Sequence, residues 1–309
     1  MCKSFKTGGN KMSFITNFLK PVKEPVIEEI QIPEGNTVTS EKPEQNEPKV
    51  TSLPRLVISP KIQKNNNNAD IKSYFALKGF SVDTSSSKSC IHQIESLSYY
   101  VAENYTFANS FLKFIRENIP KKEFVFTYSM DSLSAQEQSA TVSLAEYFTE
   151  YGIISDFFYN KALNTIHGKI SSAPRVINFL NGDYLEYYAH SVTQKVIEEA
   201  AANHGCDCEI YSNFKIQKDG DKHELDLVFR VGKNIFWCEV KSGKFSDFDC
   251  YRCLGLLMGV NPDRHILLTA EKDDEKCEAV SWFYQFYVAN ILSFKKKLND
   301  MIETSFRED

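Results

Sequence analysis

Two segments in the second half of the chain alternate between apolar and polar residues with a period of two. In the first, Leu225, Leu227, Phe229 and Val231 occupy every second position, and in the second Phe236, Cys238 and Val240 do so. Gly232-Lys233 separates them, and glycine at the first position of a two-residue loop suits a type II′ turn. The pattern predicts a β-hairpin in which Val231 pairs with Asn234.

This register places acidic residues opposite each other. Asp226 faces Glu239 and Glu224 faces Lys241, with Cβ atoms of paired residues about 4.5–5.5 Å apart. Lys241 lies one pleat beyond Glu239 on the same side. Facing carboxylates repel each other and raise at least one pKa, and a hard divalent cation offsets that repulsion. Asp, Glu and Lys in this arrangement indicate a phosphodiester-hydrolysing centre. The alternative interpretation is an exposed hairpin with a surface ion pair between Glu224 and Lys241.

The pattern around the hairpin predicts a mixed α/β sheet flanked by helices. Predicted helices cover 183–203, 247–259 and 274–304, and predicted strands cover 208–217, 222–231, 234–242 and 264–270. Ahead of these, the sequence predicts a small module. It consists of a helix at 92–118, a strand at 124–128, a helix ending at Tyr151 and a hairpin over 153–166. That module is either winged-helix-like or a helical and β unit that packs on the sheet. Few lysines or arginines fall on its supposed reading surface, which favours packing.

Composition separates the first 72 residues from the rest. They contain seven of the ten prolines and the run Asn65–Asn68, with few large apolar residues, so they predict a disordered tail. Short apolar stretches at Phe14–Leu19 and Leu56–Ile58 are candidate motifs for docking a protein partner. The predicted organisation is a tail (1–72), the small module (73–172) and the mixed-sheet domain (173–309).

Charge and targeting signals narrow the classes of function. The net charge of −5 disfavours a sequence-blind DNA binder that relies on phosphate contacts alone, although a bound metal can supply local positive charge. No secretory signal or membrane-spanning stretch is evident, which predicts a protein without membrane association. The eight cysteines are then expected to be reduced thiols in the cytoplasm.

Three segments carry a resemblance to a known family: Phe179–Tyr188, His223–Val228 and Trp237–Gly243. Together they resemble the PD-(D/E)xK nuclease superfamily. More narrowly, they are similar to the nuclease domain of CRISPR-ancillary effectors in which a CARF domain precedes the nuclease. The resemblance covers about residues 140–272. No recognisable CARF pattern precedes it, and His223, Val240 and Ser242 depart from the usual family residues without removing a ligand.

The resemblance implies a restriction-endonuclease-like fold and a set of site residues. Asp226, Glu239 and the backbone carbonyl of Val240 would bind Mg²⁺ or Mn²⁺, Lys241 would be the catalytic lysine, and Glu186 would complete the site. The implied activity is that of a metal-dependent endonuclease on nucleic acid, with DNA the first choice of substrate and RNA the second, in antiviral defence or repair. The alternative is a catalytically inactive nuclease-fold protein that binds nucleic acid or acts as an adaptor.

An aromatic band near the C-terminus predicts a further contact. The last predicted helix carries Trp282, Phe283, Phe286, Tyr287, Ile291 and Phe294, which is broader than one core-facing stripe. The sequence leaves two interpretations of this band, a homodimer interface and a plain intramolecular core.

Overall fold

The computed structural model describes two strands near the N-terminus, 3–7 and 10–14, and residues 70–83, 92–243, 245–270 and 273–307. The two strands, β1 (Lys3–Thr7) and β2 (Asn10–Phe14), form an antiparallel pair. They lie inside the segment for which the sequence predicts disorder. The rest of that segment up to residue 69, including Leu56–Ile58 and all but Phe14 of the other docking motif, lies outside the described residues. The disordered tail therefore stays a prediction.

The first half of the described chain contains a short helix and strand followed by the small module. The elements are α1 (Ile71–Leu77), β3 (Ser81–Asp83), α2 (His92–Glu103), α3 (Tyr105–Asn118), β4 (Val125–Ser129), α4 (Ala135–Glu150), β5 (Ile154–Asn160) and β6 (Thr165–Ile170). The predicted helix 92–118 is two helices, separated at Asn104. Strands β4, β6 and β5 form an antiparallel sheet in that order.

The second half forms the mixed sheet and its helices. The elements are α5 (Pro174–Asn178), α6 (Tyr184–His204), β7 (Cys208–Lys218), β8 (Asp221–Val231), β9 (Asn234–Lys241), α7 (Phe248–Met258), β10 (His265–Thr269), α8 (Asp274–Tyr284), β11 (Tyr287–Asn290) and α9 (Phe294–Arg307). The sheet has the order β11-β10-β9-β8-β7-β3. Strands β9, β10 and β11 are parallel, and the remaining pairs are antiparallel. The predicted mixed sheet flanked by helices is confirmed.

Helices cover both faces of this sheet. On one face α6, α9 and the small module share a continuous core that extends from Leu97 to Ile302. On the other face α1, α7 and α8 pack against Val228, Trp237 and Leu267. Strand β3 pairs with β7, so residues 81–83 belong to the mixed sheet rather than to the small module. The predicted division of the chain into domains stays a prediction. No helix in the described part of the chain is both long and apolar enough to span a membrane.

The prediction of one helix over 274–304 is wrong. Gln285 adopts a left-handed backbone conformation (φ 60°) and ends α8, and the next residues form β11 beside β10. Aromatic and β-branched residues at these positions satisfy a helical pattern and a buried strand equally well, so periodicity alone does not separate the two. Phe286, Ile291 and Phe294 are consequently buried, whereas Trp282 and Phe283 remain exposed. A homodimer stays a prediction.

Candidate active site

Two tight turns fix the register of the strands that carry the acidic residues. The turn at Gly232-Lys233 has positive φ at Gly232 (59°), and the β8–β9 ladder contains the predicted pairs from Val231–Asn234 to Leu227–Cys238. The turn at Asp219-Gly220 has positive φ at both residues, as a type I′ turn requires, and closes on the pair Lys218–Asp221. The predicted hairpin register is therefore confirmed from Val231–Asn234 to Leu227–Cys238. Asp226 lies directly beyond the last β8–β9 pair, so the predicted pairs Asp226–Glu239 and Glu224–Lys241 fall outside the ladder.

The alternation of side chains along β8 is interrupted at Asp226, so that residues two apart point to opposite faces of the sheet. Leu225 packs on the α1, α7 and α8 side of the sheet, whereas Leu227, two residues later, packs on the α6 side. Asn213 lies between the β7 partners of these two leucines and adopts a left-handed conformation (φ 51°). The prediction that Leu225 shares a face with Leu227 is therefore wrong, because the regular pleat is interrupted at this point.

The structure brings Asp226, Glu239 and Lys241 into direct contact. Asp226 Oδ2 accepts a hydrogen bond of 2.8 Å from the backbone N–H of Val240. Lys241 Nζ lies 2.6 Å from Glu239 Oε1 and 4.0 Å from Asp226 Oδ2. The side chains of Asp226 and Glu239 are only 16% and 14% exposed. Lys241 therefore forms ion pairs with two acids whose side chains are mostly buried.

The surroundings of these groups raise the pKa of both Asp226 and Lys241. Burial, and then the charge of Glu239, raise the pKa of Asp226 well above its usual range. Burial lowers the pKa of Lys241, but the charges of Glu239 and Asp226 outweigh it, and the net result is a raised pKa. Lys241 is therefore a cation at neutral pH, and it holds two closely spaced carboxyl groups together.

Glu186 reaches the same site from α6. It lies in the first turn of the helix, and its charge contributes to the raised pKa of Asp226. The helix is held against the end of β9, where Ser242 Oγ donates to the carbonyl of Asn181 at 3.0 Å. Gly182 is required at this contact, because a Cβ there would lie 2.6 Å from Ser242 Oγ. This contact links the helix that carries Glu186 to the strand that carries Lys241.

The donor set fits a hard divalent cation. Glu239 Oε2 is buried and has no hydrogen-bond partner in the described part of the chain, so one carboxylate oxygen is available to a ligand. No three His, Cys, Asp or Glu side chains form a metal-holding group among the described residues. A magnesium site needs only one or two carboxylates, since the ion keeps several waters and takes substrate oxygens. The pair Asp226 and Glu239 meets that requirement, and the role of the Val240 carbonyl stays a prediction.

A cleft beside Asp226 contains residues that the sequence analysis did not identify. Glu186, Tyr187 and His190 of α6 form one wall, and Ser212, Asn213 and Asp226 form the other. The cleft is partly open to solvent, and its cavity volume is about 20 Å³, enough for little more than one water molecule. The sequence could have indicated Asn213 through the Asp219-Gly220 turn, because a two-residue loop there places Asn213 opposite Asp226. For Tyr187 and His190 of α6, the sequence offers no comparable indication beyond their helical spacing from Glu186.

Comparison with known proteins shows the fold. No protein-family model matches the chain, and no curated protein matches it. Among solved structures, the crystal structure of protein VC1899 from Vibrio cholerae is similar, with a TM-score of 0.53 and 16% identity over 77% of this chain and 62% of that one. Can2 from Sulfobacillus thermosulfidooxidans, in complex with cyclic tetra-adenylate, is also similar, with a TM-score of 0.51 and 16% identity over 75% and 60% of the two chains.

The chain therefore spans about three fifths of the length of these two structures. At this level of identity the similarity concerns the fold, and it assigns no activity to this protein.

Proposed function

We propose that this protein is a metal-dependent nuclease that hydrolyses phosphodiester bonds in nucleic acid. The observation that carries the proposal is the convergence of Asp226, Glu239 and Lys241 at the end of the β8–β9 hairpin, with Glu186 adjacent. Two nearly buried carboxyl groups with one orphaned oxygen are costly for a purely structural site, because a buried polar atom without a partner destabilises the fold. A cation bound to the unpaired carboxylate oxygen would remove this cost.

The roles follow from the positions of the side chains. Asp226 and Glu239, with the Val240 carbonyl, would bind Mg²⁺ or Mn²⁺, which when bound polarises a phosphoryl oxygen and lowers the pKa of a water molecule. Lys241 holds its proton at neutral pH and places positive charge where a phosphate gains negative charge during hydrolysis. Glu186 orients water or substrate at the edge of the site.

The substrate class and the biological setting extend the same proposal. DNA is the first choice of substrate and RNA the second. The resemblance to CRISPR-ancillary nucleases supports a role in antiviral defence, as does the similarity in fold to Can2, whose structure contains cyclic tetra-adenylate. Since this chain covers only part of that protein's length, activation by a cyclic oligonucleotide is a separate question that the assay addresses directly.

A cleavage assay tests the proposal. The purified chain is incubated with supercoiled plasmid, linear duplex, single-stranded DNA and RNA, in Mg²⁺, Mn²⁺ or EDTA, with and without cyclic tetra-adenylate. We expect metal-dependent cleavage that falls at least about a hundredfold in Asp226→Ala and in Lys241→Ala.

The matched controls are Asp249→Ala and Lys222→Ala, which remove the same charges from exposed positions. Both should cleave like the wild-type protein. If no substrate is cut under any condition, or if cutting persists in both active-site variants, the proposal is wrong.

A further inference from the structure

Lys241 lies near an aromatic ring that the proposed reaction does not use, that of Phe245. The ammonium nitrogen of Lys241 is 5.9 Å from the centroid of this ring and lies over its face. An ammonium group within about 6 Å of a ring centroid is attracted by the negative charge of the ring face. The same nitrogen lies 2.6 Å from Glu239 Oε1. Lys241 therefore contacts a carboxylate and is within reach of an aromatic ring.

Packing against two helices holds the Phe245 ring in place. Phe245 lies in the loop between β9 and α7, and its half-buried ring meets that of Phe248 edge-on. The two centroids are 5.1 Å apart and the rings are inclined at 86°. Phe248 is buried and packs against Tyr284 of α8, also with centroids 5.1 Å apart. The ring of Phe245 is therefore anchored through α7 and α8, independently of its contact with Lys241.

The two neighbours of Lys241 respond differently to a divalent cation. The proposed cation site includes Glu239, and a cation bound there would repel the ammonium group and offset its attraction to this carboxylate. The uncharged ring of Phe245 would keep its attraction for the ammonium group. The Lys241 side chain is 28% exposed and carries its charge on a flexible four-carbon stem, so its end is free to shift.

We propose that Phe245 is a positioning residue for Lys241, whose ring holds the ammonium group beside the site when a divalent cation binds Glu239. The inference rests on the proposed function, because it assumes the cation site that the nuclease requires. In this role Phe245 contacts neither cation nor substrate and acts only through Lys241. The lysine then stays close enough to a bound phosphate to stabilise its negative charge, instead of turning out into solvent.

Titration with Mn²⁺ tests this role without a cleavage assay. Isothermal titration calorimetry on the full chain compares the wild-type protein with Phe245→Leu, which keeps an apolar side chain but has no ring face. We expect Phe245→Leu to bind Mn²⁺ about threefold more weakly, because the displaced ammonium group loses a favourable partner. Phe245→Tyr keeps the ring and should retain the wild-type affinity. Phe245→Met makes the same comparison if the leucine variant does not fold.

A double-mutant cycle determines whether Phe245 acts through Lys241. In the Lys241→Met background no ammonium group remains, so Phe245→Leu should leave the Mn²⁺ affinity unchanged. An equal loss in both backgrounds would assign the effect to packing and overturn the inference. The matched control is Phe158→Leu, which makes the same substitution on β5, where the ring is 59% exposed. It should bind Mn²⁺ like the wild-type protein.

The outcomes separate this inference from the proposed nuclease activity. Unchanged or tighter Mn²⁺ binding by Phe245→Leu overturns the role of Phe245, whatever the cleavage assay gives. A loss of affinity that depends on Lys241, in a protein that cuts no nucleic acid, supports the role and rejects hydrolysis. Failure of the wild-type protein to bind Mn²⁺ rejects both.

Discussion

At the scale of the residue, the ammonium group of Lys241 lies close to both acids that we propose as ligands of a divalent cation. It contacts Glu239 at 2.6 Å and lies 4.0 Å from Asp226, so one positive charge already balances the buried acids. A divalent ion bound as proposed would therefore compete with the lysine for Glu239, and Lys241 would have to move or share that carboxylate.

This competition predicts that Lys241→Met binds Mn²⁺ more tightly than the wild-type protein. With the ammonium removed, two nearly buried carboxyl groups lack a positive partner, and we expect affinity to rise by about tenfold or more. Isothermal titration with Mn²⁺ measures the change without any nuclease assay. Lys222→Met removes an exposed positive charge and should leave the affinity unchanged. Weaker or equal binding by Lys241→Met would show that the lysine does not compete.

At the scale of the element, the sequence predicted the strand register but not the interruption within it. Two-residue turns at Asp219-Gly220 and Gly232-Lys233 carry a local signal, and they fix every pairing that follows. The break at Asn213 and Asp226 has no such signal, because left-handed φ at an asparagine leaves the apolar and polar pattern almost intact. Turn chemistry is local, whereas a change of face depends on which helix packs on each side.

The same distinction between local signals and tertiary packing explains which residues of the candidate site could be predicted from the sequence. Asp226, Glu239 and Lys241 follow from the hairpin alone, and their convergence was predictable. Glu186 was identified only through the family resemblance, since its approach depends on how α6 packs. The error over 274–304 has the same cause, because the tertiary pairing of β11 with β10 overrides the helical pattern.

The contact between Gly182 and Ser242 predicts a loss of activity from a small substitution. Gly182→Ala would place Cβ 2.6 Å from Ser242 Oγ at a φ of 157°, and the required shift of α6 against β9 should cost about 1–3 kcal/mol of unfolding free energy. We expect the accompanying displacement of Glu186, of about 1 Å, to lower kcat of the proposed cleavage by up to about a hundredfold. Denaturant unfolding and the cleavage assay measure the two effects.

The control for this substitution lies next to Ser242 in the chain. Gly243→Ala adds the same methyl group in a position where nothing lies within 4 Å of the new Cβ. It should change neither stability nor kcat. Similar effects from both substitutions would mean that the Gly182 contact has no special role.

At the scale of the whole molecule, His265 makes the stability of the sheet sensitive to acid. Its side chain is fully buried on β10, next to Trp237 and against Gly255, where an added Cβ would fall within the imidazole ring. Burial lowers the pKa of His265 to about 4. The folded state therefore requires the neutral ring, whereas the unfolded chain accepts a proton near pH 6.5.

Unfolding measurements at pH 7 and pH 4.5 test this dependence. Because the pKa of His265 is depressed in the folded state, its contribution is present above pH 6.5 and is lost as the pH falls towards 4. We expect this residue to account for about 2–3 kcal/mol of lost unfolding free energy at pH 4.5. His265→Gln should be less stable at pH 7 but lose less on acidification. An equal loss in the variant would assign the acid sensitivity to other groups.

The lysine–carboxylate pair has a consequence for the resting protein. Since Lys241 forms ion pairs with the buried acids, we predict that chelation stops the proposed cleavage without unfolding the chain. A nuclease of the proposed kind would keep its architecture in a metal-poor setting and respond when cation and nucleic acid arrive together.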